Sequence, residues 1–136
     1  MKFSIKSIVA ICMVMLLMPL AALAQQALWG GSKLLSPEIH ENKTVTFRIK
    51  APKAVKVQVL GDFLSKGVAD LVENKEGVWE DTAPEPLAPE LYSYAFVVDG
   101  LKVNDPNNVY MIRDVATVNN IFIVGGERAD LYMVNK

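Results

Sequence analysis

The side chains able to do chemistry in this 136-residue chain are few and scattered. Its one histidine, His40, lies in a polar stretch between Glu38 and Asn42 and reads as an exposed turn residue. Its one cysteine, Cys12, lies in the apolar N-terminal run. A single histidine without a cysteine cannot supply an ordinary zinc site. An acyl-transfer triad needs a serine on a strained elbow, usually G-x-S-x-G. Gly30-Gly31-Ser32-Lys33-Leu34 has leucine where that pattern needs its last glycine, and its surroundings are not strand-to-helix. No phosphate-cradling or dinucleotide glycine pattern occurs. Asp62, Asp99, Asp105 and Asp114 are the carboxylates that could pair or ligate calcium. Asp99 and Asp105 fall in turns, where aspartate commonly caps its own backbone, and that structural role is the favoured one. Trp79, Tyr92 and Tyr94 could make a sugar-stacking platform, but aromatics inside alternating strands more often face a core. The inventory implies no metal, no cofactor and no catalytic residue.

The elements that position these residues are strands. Residues 89–108, PELYSYAFVVDGLKVNDPNN, organise the rest. Asp99-Gly100 between two apolar runs is a strong hairpin signal, because a tight hairpin turn needs positive φ. Tyr92, Tyr94, Phe96 and Val98 share one face and Leu91, Ser93, Ala95 and Val97 the other, which makes the bulky face the core face. Residues 44–50, TVTFRIK, alternate with Val45, Phe47 and Ile49 inward. Residues 54–60 alternate again, placing Val55, Val57 and Val59 on one face. A loop begins at Gly61-Asp62-Phe63, and the state of residues 68–72 is open. Residues 78–82 and 118–124 read as strands. The intervening Pro84, Pro86 and Pro89 make a bend rather than a ladder. Residues 109–117 show no clear pattern. Six or seven short strands with frequent turns, and no long helical period, predict an all-β, antiparallel β-sandwich of immunoglobulin type.

The first 24 residues are a different kind of sequence. Lys2 and Lys6 precede an apolar run ending at Pro19, and Ala22-Leu23-Ala24 is a small-residue cleavage pattern ahead of Gln25. This reads as a cleavable signal peptide; a transmembrane anchor is the alternative, for which the run is short. Residues 25–35 form a lead-in with Trp29 as a docking residue, 36–126 the module, and 127–136 a tail or the start of a linker. The expected location is periplasmic or secreted. Cleavage removes Cys12, so the mature chain has no thiol. It also removes two positive charges, taking the formal net charge from −1 to −3. That balance offers no electrostatic footprint for nucleic acid or an anionic membrane surface.

The order and spacing of TVTFRIKAPKAVKVQVLGDF, GVWE, PELYSYAFVVDGLKVNDPNN and TVNNIFIV resemble the glycogen-binding-type carbohydrate-binding modules of family 48, which are early-set, immunoglobulin-like sandwiches. SPEIHENKTVTFRIKAPKA and ADLYMV are similar to the N-terminal module of secreted bacterial feruloyl and acetyl-xylan esterases. The resemblance covers roughly residues 29–134. It implies a non-catalytic accessory module of a carbohydrate esterase, packing on or orienting an α/β-hydrolase domain. The chain stops at Lys136, about where that domain would begin, so no catalytic residue carries over. Glucan-binding members stack sugars on a tryptophan a few residues after G-x-F and on another just after the D-G turn; here Lys66 and Lys102 stand at those places. Asn119 and Asn120 match the family's polar sugar-contact position. These four are the candidate carbohydrate-binding residues. The alternative function is a polysaccharide-binding module with an altered glucan site. The expected partners are an esterase domain, covalent or separate, a plant cell-wall or glucan polysaccharide, and a second copy in a homo-oligomer.

Overall fold

The computed structural model describes residues 34–126 and 128–132. The chain divides into two units, Met1–Lys33 and Leu34–Lys136, and only the second is described here. The signal-peptide reading and the Trp29 docking residue therefore lie outside the described residues.

Among the described residues, ten short strands make two antiparallel sheets. In chain order they are β1 (Glu38–Ile39), β2 (Val45–Lys50), β3 (Val57–Gly61), β4 (Val68–Asp70), β5 (Val72–Glu73), β6 (Val78–Thr82), β7 (Leu91–Val98), β8 (Leu101–Val103), β9 (Met111–Arg113) and β10 (Val118–Ile123). One sheet has the order β1-β2-β6-β5. The other runs β4-β3-β7-β10-β9, with β8 paired to the far end of β7. A 3-10 turn, Ala129–Tyr132, follows, with Ala129 buried.

The alternation in β2 puts Val45, Phe47 and Ile49 into the space between the sheets, where they meet Val57, Val59, Tyr94, Phe96, Phe122 and Val124 from the other sheet. Six rings interlock at one end of this core. Phe47 lies 5.2 Å from Phe63, 5.0 Å from Tyr94 and 5.6 Å from Phe122, and Tyr94 lies 5.9 Å from Phe96, ring centre to ring centre. Tilted and edge-on pairs predominate, as the ring quadrupole favours. Phe63 comes from the loop after β3 and closes the end of the cluster. The Trp79 indole N–H donates to the Ala51 carbonyl at 3.0 Å, so this buried ring has its polar handle satisfied. Trp79 and Tyr94 are core residues, and half-buried Tyr92 packs against Phe63 and Phe122.

The β7–β8 hairpin turns at Asp99 (φ 49°) and Gly100 (φ 87°), both left-handed, as a two-residue type I′ turn requires. Asp99 Oδ1 also accepts from the N–H groups of Val55 and Lys56, tying the turn to the chain entering β3. This bond explains one departure from the sequence reading. Alternation predicts Val55 on the same face as Val57 and Val59; it instead lies outside the core while they are buried in it, because β3 starts only at Val57 and the preceding residues are held in a bend. Residues 68–72 resolve into two strands. β4 belongs to the larger sheet and β5 to the smaller, and the buried Leu71 is where the chain crosses between them. That crossing breaks the periodicity. His40 also differs from the exposed turn residue expected of it. It is half-buried, with Nε2 2.7 Å from the Thr46 hydroxyl, which is itself 2.8 Å from the Thr82 hydroxyl.

Arg48 clips the entering chain to the smaller sheet. Its guanidinium donates to Glu80 at 3.0 Å, to Glu38 at 2.6 Å and to the Leu35 carbonyl at 3.2 Å. The hydrogen bond from Arg48 holds the Glu38 carboxyl below its ordinary value of 4.5. Glu90 is held low by the Leu91 N–H and then by Tyr132, and Asp114 by the Thr117 and Ala116 N–H groups. A carboxyl depressed by folding contributes stability that is complete above its unfolded pKa and lost as pH falls through the folded one. Asp81 works the other way, since burial raises it. With three depressed groups against one raised, the thermal midpoint is expected to fall as pH is lowered from about 5 to about 2. Melts followed by circular dichroism across that range test this, and a level or rising midpoint contradicts it.

Candidate functional site

The outer face of the larger sheet is where sequence-predicted residues meet. Strand register builds it row by row. On β7, Ser93, Ala95 and Val97 point away from the core, opposite Tyr94 and Phe96. Pairing sets Leu60 beside Ala95 and Gln58 beside Val97 from β3, and Lys102 beside Val97 from β8. From β10, Ile121 pairs with Ser93 and Asn119 shares its face. Ile112 of β9 pairs with Asn119. The small side chain of Ala95 leaves a shallow depression of about 210 Å³, lined by Leu60, Asp62, Ser93, Lys102 and Asn119. Asp62 is committed to one wall, accepting from the Ser93 N–H at 3.2 Å and its hydroxyl at 3.0 Å. Lys102 and half-exposed Asn119 are left to present an ammonium and an amide to solvent, so the depression can hydrogen-bond a hydroxyl-rich ligand.

The other two predicted residues are not part of it. Lys66 sits in the loop between β3 and β4 and lines a separate depression with Phe63, Leu64, Pro84 and Leu87. Asn120 points to the opposite face of β10 and is 0% exposed, so the expectation that it contacts sugar is corrected. Its Oδ1 accepts from the Asp105 N–H at 2.7 Å and its Nδ2 donates to the Asn108 carbonyl at 2.9 Å. The Tyr94 hydroxyl donates to Asp105 at 2.8 Å and accepts from Asn108 Nδ2 at 3.0 Å. Burial pushes the Tyr94 phenol far up, and the Asp105 charge pushes it further, so the ring keeps its proton. Tyr94, Asp105, Asn108 and Asn120 thus form a buried polar network with its partners matched. It anchors the segment between β8 and β9. Adjacent asparagines in a strand must face opposite ways, and only the pairing register decides which one is outside.

The aspartates behave as backbone caps. Asp105 Oδ1 accepts from the Asn107 N–H at 2.8 Å, and Asp114 Oδ1 from the Ala116 and Thr117 N–H groups at 2.8 and 2.6 Å. Among the described residues no group of three or more histidine, cysteine, aspartate or glutamate side chains could hold a metal ion. None of the described helices is long and apolar enough to cross a membrane.

One residue of this face was missed in the sequence. Tyr110 is 70% exposed, and its carbonyl accepts from the Ile121 N–H at 3.0 Å, which places it beside Ile121 on the outer face. Its only signal was its position two residues before Ile112, and that carried no meaning until β9 was known to be a strand.

Comparisons with known proteins bear on this geometry. The family model for carbohydrate-binding module 48, the isoamylase N-terminal domain, matches residues 34–112. An endo-1,4-beta-xylanase/feruloyl esterase of Xylanibacter ruminicola is 33% identical over 70 residues, covering 52% of this chain and 10% of that protein. The chain therefore spans about a tenth of the length of that curated relative. The Group B Streptococcus pullulanase in complex with maltotetraose superposes on 70% of this chain and 15% of its own, with a TM-score of 0.53 and 20% identity, a likeness of fold alone. A putative alpha amylase from Salmonella typhimurium matches over 68% of this chain and 15% of its own, with a TM-score of 0.51 and 26% identity. The sandwich, the hairpin at its centre and the matched residues agree with one another: this chain belongs to the carbohydrate-binding module 48 family.

Proposed function

We propose that this chain is the non-catalytic accessory module of an exported carbohydrate esterase and that it serves to dock or orient a catalytic domain rather than to grip glucan. One observation carries the reading. The depression on the outer face holds Lys102 where the family's glucan binders have a stacking ring, with Asn119 at their polar sugar-contact position beside it, and the other lysine at a stacking position, Lys66, lines a different depression. Affinity in open sugar sites rests mainly on aromatic area, with hydrogen bonds giving orientation. An amide and an ammonium on a flat sheet face therefore orient weakly and hold little. The similarity to a xylanase/feruloyl esterase, of which this module matches a tenth, supports a place beside a hydrolase domain. Export is part of the proposal and rests on the signal-like residues 1–24.

The alternative, a polysaccharide-binding module with an altered site, is separated from this by affinity electrophoresis against glycogen and xylan. The parent chain is expected to run unretarded in glycogen gels. Lys102→Trp should tighten binding about tenfold, the effect of a stacking contribution of about 1–1.5 kcal/mol beside an existing hydrogen-bonding amide. Lys66→Trp should add little, since it lines a different depression. Strong retardation of the parent by glycogen, lost on Asn119→Ala, overturns the proposal in favour of a glucan-binding module.

A further inference from the structure

We propose that the Glu90 carboxylate clamps the turn after β10 onto the sandwich, so that the chain leaves the module in one fixed direction instead of through a slack tail. The last residues of a domain are poorly ordered unless something ties them down. As a sequence, residues 127–136 read as a tail or the start of a linker. The described part of that stretch, Arg128 to Tyr132, is tied down at several points.

The platform is the bend of Pro84, Pro86 and Pro89 that leads into β7. It is fastened to the rest of the domain by the Leu87 N–H, which donates to the Lys43 carbonyl at 2.9 Å, and by the Tyr92 hydroxyl, which donates to the Ala88 carbonyl at 3.0 Å. The chain leaving β10 lies down on this bend. The Val124 N–H donates to the Glu90 carbonyl at 3.0 Å. Gly126 follows at φ 147° and passes so close to Pro89 that a Cβ at this position would collide with the proline ring. Glycine alone suits both the angle and the approach. The Gly126 carbonyl then accepts from the Ala129 and Asp130 N–H groups at 2.8 and 3.2 Å, which curls the chain into its 3-10 turn and buries Ala129 completely.

Glu90 closes the clamp. Its Oε1 accepts from the Leu91 N–H at 3.1 Å, which fixes the carboxylate at the start of β7. Its Oε2 meets the Arg128 guanidinium at 3.3 Å, and the Tyr132 hydroxyl donates to the same carboxylate. One side chain thus holds the residue before the 3-10 turn and the last residue in it. The Arg128 side chain is 81% exposed, and exposed ion pairs add little to global stability. What Glu90 decides is local: whether the turn stays on the sandwich or opens away from it.

The use of the clamp rests on the accessory-module reading. The space that a flexible chain sweeps grows with its length, and fastening Tyr132 takes Arg128 to Tyr132 out of that sweep. A catalytic domain joined beyond the turn is then held nearer to one position and orientation.

Backbone nitrogen relaxation on the purified chain tests it. In the parent, the order parameters of Ala129, Asp130, Leu131 and Tyr132 are expected to match those of the strands, at about 0.85. Glu90→Ala should drop them below about 0.6 while the strand values stay unchanged. Tyr132→Phe removes only a hydroxyl at the surface, leaves the core untouched, and should lower the order of Leu131 and Tyr132. Leu131→Ala, at a side chain 84% exposed, should change nothing. A parent already below about 0.6 over these residues overturns the clamp. So does unchanged order in Glu90→Ala or, where that variant does not fold, in Tyr132→Phe. An equal loss of order in Leu131→Ala overturns it as well, since apolar contact and not the carboxylate would then hold the turn. Strong retardation of the parent by glycogen overturns the accessory-module reading and leaves these order parameters as they are, so the two fail separately.

Discussion

Replacing Phe96 with alanine is expected to cost about 3–5 kcal/mol of folding stability. Phe96 has no exposed surface and sits in the middle of β7, the strand that bonds to β3, β8 and β10. Its neighbours across the ladder are Val59 and Val103, and its ring meets Tyr94 edge-on at 5.9 Å. Truncation removes the transfer free energy of the ring and leaves a cavity that two hydrogen-bonded sheets cannot readily collapse into. A domain of this size has about 5–15 kcal/mol in all, so the variant should unfold at much lower denaturant or fail to fold at the temperature of expression. Urea unfolding followed by tryptophan fluorescence gives the measurement, since Trp79 is buried in the same core. A loss below about 1 kcal/mol would mean that β7 does not hold the centre of the fold.

Asn120→Ala should be nearly as costly, for a different reason. No large apolar volume is lost. The alanine instead strands the Asp105 N–H and the Asn108 carbonyl, both bonded to the Asn120 amide in the parent. Each buried polar group left without a partner costs about 1–3 kcal/mol, so a total of about 2–5 kcal/mol is expected. The neighbouring Asn119→Ala should change stability by no more than about 0.5 kcal/mol, because that side chain faces the outer depression. Denaturant curves for the two variants side by side decide the matter. Equal effects on stability would mean that the buried network does not carry the load assigned to it. A large effect at Asn120 with none at Asn119 separates the structural asparagine from the one available to a ligand.

Much of the architecture was legible in the sequence because a half-buried strand writes its face into the chain with period two. The faces of β2 and β7, and the tight positive-φ turn at Asp99-Gly100, followed from alternation and turn chemistry alone. The reading failed where neighbouring segments override that period. Val55 continued an apparent alternation, but the Asp99 carboxylate bonds its backbone and holds it out of the strand. Residues 68–72 carried no single period because the chain changes sheets at Leu71. β9 had no alternation to show, as all of its side chains are exposed.

The candidate site divides along the same line. Composition and spacing pointed to an all-β chain without an evident catalytic constellation, and the family resemblance, not those patterns, implied that Lys66 and Lys102 stand where stacking rings are expected. Which of those residues act together was decided by tertiary structure. Lys102 joins Asn119 because β8 and β10 line up on the same side of β7, a pairing between segments that the sequence separates by some fifteen residues. Lys66 is parted from them by the β3–β4 loop, and Asn120 is turned inward by the one-residue parity of the ladder. The physical reason is that side-chain direction along a strand is local, whereas the identity of the neighbour across the ladder is set by hydrogen bonds between distant segments.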